Sequence, residues 1–279
     1  MLLNISKLSM AGLALMSASA FASTTNFGSV SDTGNNFNQF SVVSDGVTIN
    51  VSGWSDTASF SGGSSANPLT GDDKIERARD FDKNGNGWSM ENRDESKSNG
   101  TQKTWVDGYS HSADNLSAGS QDYDTYLLEF SVAVNLSEAT YSWNLGNTSN
   151  NQVTVAALSS NNLNGNSWAN VKSNQTISSG YSQMQDTGGY YTTSFTNATS
   201  NVTGTYSQYW IISALNSVFS STDTSGLEGN DGMKLSGVSF SKDPGTPPPP
   251  STSVPEPTSI TMFGLALIGL FAANRRKIK

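Results

Sequence analysis

The chain has 279 residues, 14% of them charged and none of them cysteine, with a formal net charge of −8. Disulfide staples, thiol chemistry and cysteine-ligated metal are therefore excluded, and the acidic balance argues against nucleic acid, whose binding needs a basic footprint. The single histidine, His111, rules out a multi-histidine metal site.

Residues 1–22 read as a secretory signal peptide. Lys7 supplies positive charge, Leu8–Met16 is a short apolar segment, and Ala20-Phe21-Ala22 is a small-x-small cleavage site. Cleavage is expected after Ala22, with Ala20 the alternative, and the Sec machinery is the implied partner.

Residues 23–243 are expected to form one all-β domain, a β-sandwich of jelly-roll type. Phe40–Val43 and Val47–Val51 flank Ser44-Asp45-Gly46, a hairpin signal. Tyr126–Val134 is a longer apolar run. Thr140–Trp143 and Gln152–Leu158 follow, split by Gly146-Asn147. Tyr190–Phe195, Gln208–Ala214 and Met233–Phe240 complete the set, with Gly237 a bulge. Short strands between Gly-, Asn- and Ser-rich loops suit two packed antiparallel sheets. Asn161–Asn166 and Thr196–Thr205 read as polar loops, and Asp72–Arg79 as a short exposed helix.

Three features of this domain are candidates for binding. Asp80-Phe81-Asp82-Lys83-Asn84-Gly85-Asn86-Gly87-Trp88-Ser89-Met90-Glu91 has the spacing of a calcium loop. Calcium takes about six to eight oxygen ligands. Asp80, Asp82 and Asn84 would give three, the Asn86 carbonyl a fourth and Glu91 two more. Gly87 stands where an EF-hand wants an aliphatic residue, and a solvated turn is the competing reading. The second feature is His111-Ser112-Ala113-Asp114-Asn115 with Asp122, Asp124 and Glu129, an oxygen-rich group or a structural loop. No activated-serine signature accompanies His111. The third is aromatic. Trp143 and Trp210, inside β runs, are expected in the core. Trp88, Trp105 and Trp168, in loop-like contexts, are the expected platforms for sugar rings.

Pro244–Ser253, with four prolines from Pro247, is an extended spacer over 244–253. Residues 254–279 follow. Pro255-Glu256-Pro257 is an extended, accessible stretch. Thr258–Ala273 lacks charge, and as a membrane helix these residues span about 24 Å, short for a bilayer core of about 30 Å. Arg275, Arg276, Lys277 and Lys279 close the chain and stay cytoplasmic by the positive-inside rule, leaving the domain outside. Both signals hold Lys7, these four cations and Glu256, so the part between them carries 10 basic against 22 acidic residues.

Proline motif, apolar helix and basic end together closely resemble the PEP-CTERM signal of Gram-negative bacteria. The resemblance implies that an exosortase cuts near Pro-Glu-Pro after a transient hold in the inner membrane, and passes the protein to the cell surface or matrix. A looser resemblance links Gly87–Asn92, His111–Asn115 and Leu127-Leu128-Glu129-Phe130 to exosortase-dependent surface proteins. The expected function is non-catalytic: a cell-surface or biofilm-matrix protein acting by adhesion or assembly. The alternative is a carbohydrate-binding module for polysaccharide, stabilised by calcium as its cofactor. A third reading is a secreted glycoside hydrolase with a carboxylate pair such as Glu91 and Glu129.

Overall fold

A computed structural model describes residues 22–31, 39–57, 74–78, 80–91, 95–98, 102–105, 112–115, 123–145, 151–196, 202–220, 227 and 231–245. The signal peptide up to Phe21, His111, Asp122, Gly146-Asn147, most of the proline spacer and the whole sorting tail lie outside the described residues. Two units divide the chain, Met1–Pro244 and Gly245–Lys279, and the fold described is that of the first.

The described chain is almost entirely strand. In order, β1 is Ser23–Asn26, β2 Gln39–Ser44, β3 Val47–Thr57, β4 Lys74–Arg77, β5 Asp80–Asn84, β6 Gly87–Glu91, β7 Glu95–Ser98 and β8 Gln102–Trp105. Then come β9 Ala113–Asp114, β10 Asp124–Asn144, β11 Gln152–Leu158, helix α1 Trp168–Gln175, β12 Thr176–Gln183, β13 Gln185–Asp186, β14 Tyr191–Ser194, β15 Ser207–Ala214 and β16 Gly232–Lys242. Every pairing is antiparallel.

The β2–β3 hairpin follows its sequence signal. Asp45 and Gly46 sit at φ +50° and +72°, the mirror-image turn whose twist matches that of the strands. The two runs expected at Tyr126–Val134 and Thr140–Trp143 are instead one strand of 21 residues, β10. Ser137 and Glu138 between them are half-buried; the ladder to β16 passes over Ser137 as a bulge and resumes at Glu138. The first half of β10 pairs with β15 on one side and β3 on the other. Its second half pairs with β16 and β14. Register breaks between Glu129 and Val134 mark the change of neighbours.

One core cluster takes residues from both halves: Val51, Leu128, Val155 and Ile212 from the first ladder, Leu136, Tyr141, Leu235 and Phe240 from the second. A smaller cluster lies on the other face of the first ladder, where Leu127, Ala156 and Ile211 meet Trp168 and Val171 of α1 and Phe219. With both faces covered, β11 is buried at all seven positions, so its sequence shows no alternation.

Two expectations are corrected here. Asp72–Arg79 is not a helix in its described part: Lys74–Arg77 is β4, paired with the end of β3. Ile75 fills the smaller cluster, and this burial outweighs the modest helix propensity of the stretch. The helix occurs at Trp168–Gln175, capped by the Ser167 hydroxyl on the Asn170 amide. Asn161–Asn166 does form a loop.

At Gly237 the expected irregularity is present. Thr140 pairs with Gly237 and the next residue, Tyr141, with Leu235, leaving Ser236 extra. The glycine is required by close approach: a Cβ there would overlap the Thr25 carbonyl of β1 and lie 2.8 Å from Thr140 Oγ1. Gly237→Ala is therefore expected to lower stability by about 1–3 kcal/mol, as overpacking does, measured by urea unfolding.

Candidate functional site

The calcium-loop sequence folds as a β-hairpin. Asp80 pairs with Glu91, Asp82 with Ser89 and Asn84 with Gly87, and Gly85-Asn86 make the turn with Gly85 at φ +68°. Phe81, Trp88 and Met90 are buried, and anchoring them straightens the chain. An extended strand rises about 3.3 Å per residue, so Asp80 and Asn84 stand about 13 Å apart. That is too far for ligands that must each approach a calcium ion to about 2.5 Å. Asp82 accepts a hydrogen bond from Ser89 Oγ at 2.9 Å. The Asn86 carbonyl faces Gly28, where an added Cβ would come within 3.0 Å. The side chains of Asp80 and Glu91 lie outside the described residues; among those described, no group of three or more histidine or acidic side chains is placed to hold one metal ion.

The hairpin has a structural task. Lys83 Nζ donates to the carbonyls of Gly28 and, at 3.0 Å, Val30. Trp88 Nε1 donates to the Phe27 carbonyl at 3.2 Å, and the Trp88 and Phe40 rings stack 4.1 Å apart. Tyr126 lies beneath, its hydroxyl 2.7 Å from the Trp88 carbonyl it bonds and 3.3 Å from the Leu235 amide that donates to it. Burial pushes this phenol well above its ordinary pKa, with Asp124 and Asp114 adding to the rise.

The second oxygen-rich group is brought together in part, and in the interior. Asp114, Asn115 and Asp124 are 2%, 1% and 1% exposed. Asp124 Oδ2 accepts the Asp114 amide at 3.3 Å, and Ser112 Oγ donates to Asp114 Oδ2 at 2.8 Å. Asn115 Nδ2 donates to Asp231 Oδ2 at 2.7 Å and to the Leu215 carbonyl at 3.1 Å, while its Oδ1 accepts the Asp231 amide at 3.0 Å. Asp231, which the sequence did not single out, is fully buried and also accepts the Gln152 amide. Asn151 ties the same corner, donating to Leu145 O and accepting from Gly232 N. These side chains satisfy strand ends of β9, β11, β15 and β16, which otherwise would bury unpaired backbone groups. Glu129 stands elsewhere, half-buried on the first half of β10 and bonded by Asn161 Nδ2 at 2.7 Å. Glu91 is on the hairpin attached to β16, so the ladder does not make Glu91 and Glu129 neighbours.

The aromatic expectations partly reverse. Trp88 and Trp168 are each 1% exposed and belong to the core: Trp88 shares its strand with buried Ser89 and Met90, and Trp168 lies with Val171 on the face of α1 that covers the smaller cluster. Trp210 is fully buried, as its β run implies. The side chain of Trp105 lies outside the described residues. Trp143, expected in the core, is only half-buried. It pairs with Lys234, which stands between the core residues Met233 and Leu235 and so lies on the opposite, outer face. Lys234 Nζ is 5.5 Å from the centre of the Trp143 ring. Partial burial lowers the Lys234 pKa, and Asp82 nearby opposes that shift. The bulge between Tyr141 and Trp143 turns the indole outward, and no sequence period announces it.

Removing Asn115 would take one hydrogen-bond partner each from the buried Asp231 carboxylate, the Asp231 amide and the Leu215 carbonyl. Asn115→Ala is expected to cost about 2–4 kcal/mol, read by denaturant unfolding, whereas Asp82→Ala on the hairpin surface is expected to cost under about 1 kcal/mol.

No curated protein and no solved structure matches this chain. One family model does. Residues 253–277 match the PEP-CTERM protein-sorting motif, over the Pro-Glu-Pro stretch, the apolar run and the arginine pair. Among the described residues, no helix is long and apolar enough to cross a membrane; the sorting tail is not among them. The motif implies export, processing at the membrane by an exosortase, and delivery to the cell surface. The chain thus carries, at residues 253–277, the PEP-CTERM sorting motif that marks a substrate of an exosortase.

Proposed function

We propose that the protein is a non-catalytic component of the Gram-negative cell surface or biofilm matrix, exported by the Sec machinery, released by an exosortase and acting by adhesion or assembly. The observation that carries this is the sorting motif at residues 253–277. The described domain supports it: a cysteine-free, all-antiparallel fold whose buried polar side chains Asp114, Asn115, Asp124 and Asp231 take part in hydrogen bonds that tie strand ends. The two ladders sharing β10 are read as the leaves of a sandwich of jelly-roll type. Mass spectrometry of surface material tests the route. A tail shortened near Pro255–Pro257 is expected in wild-type cells and an intact tail in exosortase-deleted cells; an intact tail in both refutes it.

A second reading rests on Trp143. A half-buried indole beside Lys234, with Asp82 acting on that lysine, offers a stacking face with polar groups near it. The acidic charge of the domain favours a neutral polysaccharide over an anionic one. Trp143→Ala is expected to weaken retention on such a polysaccharide at least tenfold with an unchanged melting temperature; equal retention sinks this reading. Calcium stabilisation belongs to the same reading, and a melting temperature unmoved by millimolar calcium removes it.

A further inference from the structure

The first strand begins where the signal peptide is expected to end. Ala22 is exposed, and Ser23 opens β1, pairing with Phe240 of β16. Three separate pieces of chain meet here: the start of β1, the turn of the β2–β3 hairpin and the end of β16. Asp45, in that turn, joins them. Ser23 Oγ donates to Asp45 Oδ2 at 3.2 Å. Lys242 Nζ lies 3.0 Å from the same oxygen and donates to the Asp45 carbonyl at 3.2 Å. Lys242 first and Ser23 second hold the Asp45 carboxyl below its usual pKa, so it is an anion at neutral pH.

In any serine the backbone nitrogen and Oγ are about 3–4 Å apart, being separated by three bonds. The Ser23 nitrogen is thus within about 7 Å of the Asp45 carboxylate. While Ala22 precedes it, that nitrogen is a neutral amide. Hydrolysis of the Ala22–Ser23 bond adds one water, leaves a carboxylate on Ala22 and makes the Ser23 nitrogen a free amine. Its ordinary pKa of about 7.7–8 leaves it mainly an ammonium at neutral pH.

We propose that signal-peptide cleavage between Ala22 and Ser23 creates an ammonium that pairs with Asp45 and fastens β1 to β16, so that removal of the leader completes the fold. The choice of bond matters. Cleavage after Ala20 would leave two residues, Phe21 and Ala22, between the new charge and Asp45. β1 is four residues long and pairs only with β16. A strand this short at a chain end opens readily, so one added ionic contact alters its opening measurably. Asp45 then carries two cations, one from each end of the domain, and clamps the point where the chain enters it to the point where β16 leaves it.

The proposal rests on the export reading, and two arms keep their failures apart. N-terminal mass spectrometry of the protein recovered from exporting cells is expected to show Ser23 first. A retained leader overturns the export reading, and a start at Phe21 overturns the choice of bond. In the second arm, chains Ser23–Lys279 in detergent, with free and with acetylated N-termini, are compared by amide exchange. Acetylation removes the charge and leaves the strand pairing possible. It is expected to speed exchange of the Thr25 and Asn26 amides about two- to fivefold, the factor an exposed ion pair supplies. In the Asp45→Asn chain acetylation is expected to change nothing. Equal exchange in free and acetylated wild-type chains overturns the clamp, as does an acetylation effect that persists undiminished in Asp45→Asn.

Discussion

The length and the shared pairing of β10 are what the rest of the domain depends on. A strand of 21 residues is far longer than the usual five or six. It persists because each half has partners on both sides. The first half is flanked by β15 and β3, the second by β16 and β14. Side chains from both halves meet in one core, with Leu128 and Phe130 from one and Leu136 and Tyr141 from the other. A chain without cysteine has no covalent staple, so this continuous strand substitutes for one: neither ladder opens without disturbing the other.

The ends of the ladders pose a second problem. Where strands stop, backbone groups point at neighbours that no longer exist, and burial makes each one expensive. The chain answers with short polar side chains in place of water. Asn115 and Asp231 bond each other's side chain and backbone, Asn151 bridges Leu145 and Gly232, and Asn216 and Thr154 bond reciprocally. This explains much of the Asn, Asp and Ser richness that first suggests flexible loops. Close to this corner, the β5–β6 hairpin covers Tyr126, with Lys83 holding the N-terminal turn and Trp88 stacked on Phe40. Binding chemistry and packing compete for the same residue types here, and packing has taken Trp88 and Asp114.

Several elements were legible from residues alone. The Ser44-Asp45-Gly46 turn, β11 and β15 follow from glycine and asparagine punctuation around apolar runs. The helix was not legible. Asp72–Arg79 has the composition of one, while Trp168–Gln175 is polar apart from Trp168, Ala169 and Val171. A short helix takes its stability from the surface it covers, not from its own sequence. The twelve-residue calcium spacing does not announce the hairpin, for a related reason. Spacing along a chain says which residues come near one another only if the backbone curls, and the burial of Phe81, Trp88 and Met90 keeps it extended.

The sequence by itself determined the route of this protein and its class. The sorting motif is a local order of residues, legible without a fold. Strand-forming runs between turn residues made the all-β class legible for the same reason: both are short-range properties. Only the tertiary structure decided which tryptophan is outside, which aspartates are structural, and that Ser23, Asp45 and Lys242 meet. Those facts depend on register, and a shift of one residue in a ladder turns a side chain from core to surface. Register is set by long-range burial, across separations such as that between residues 23 and 240, where no local pattern reaches.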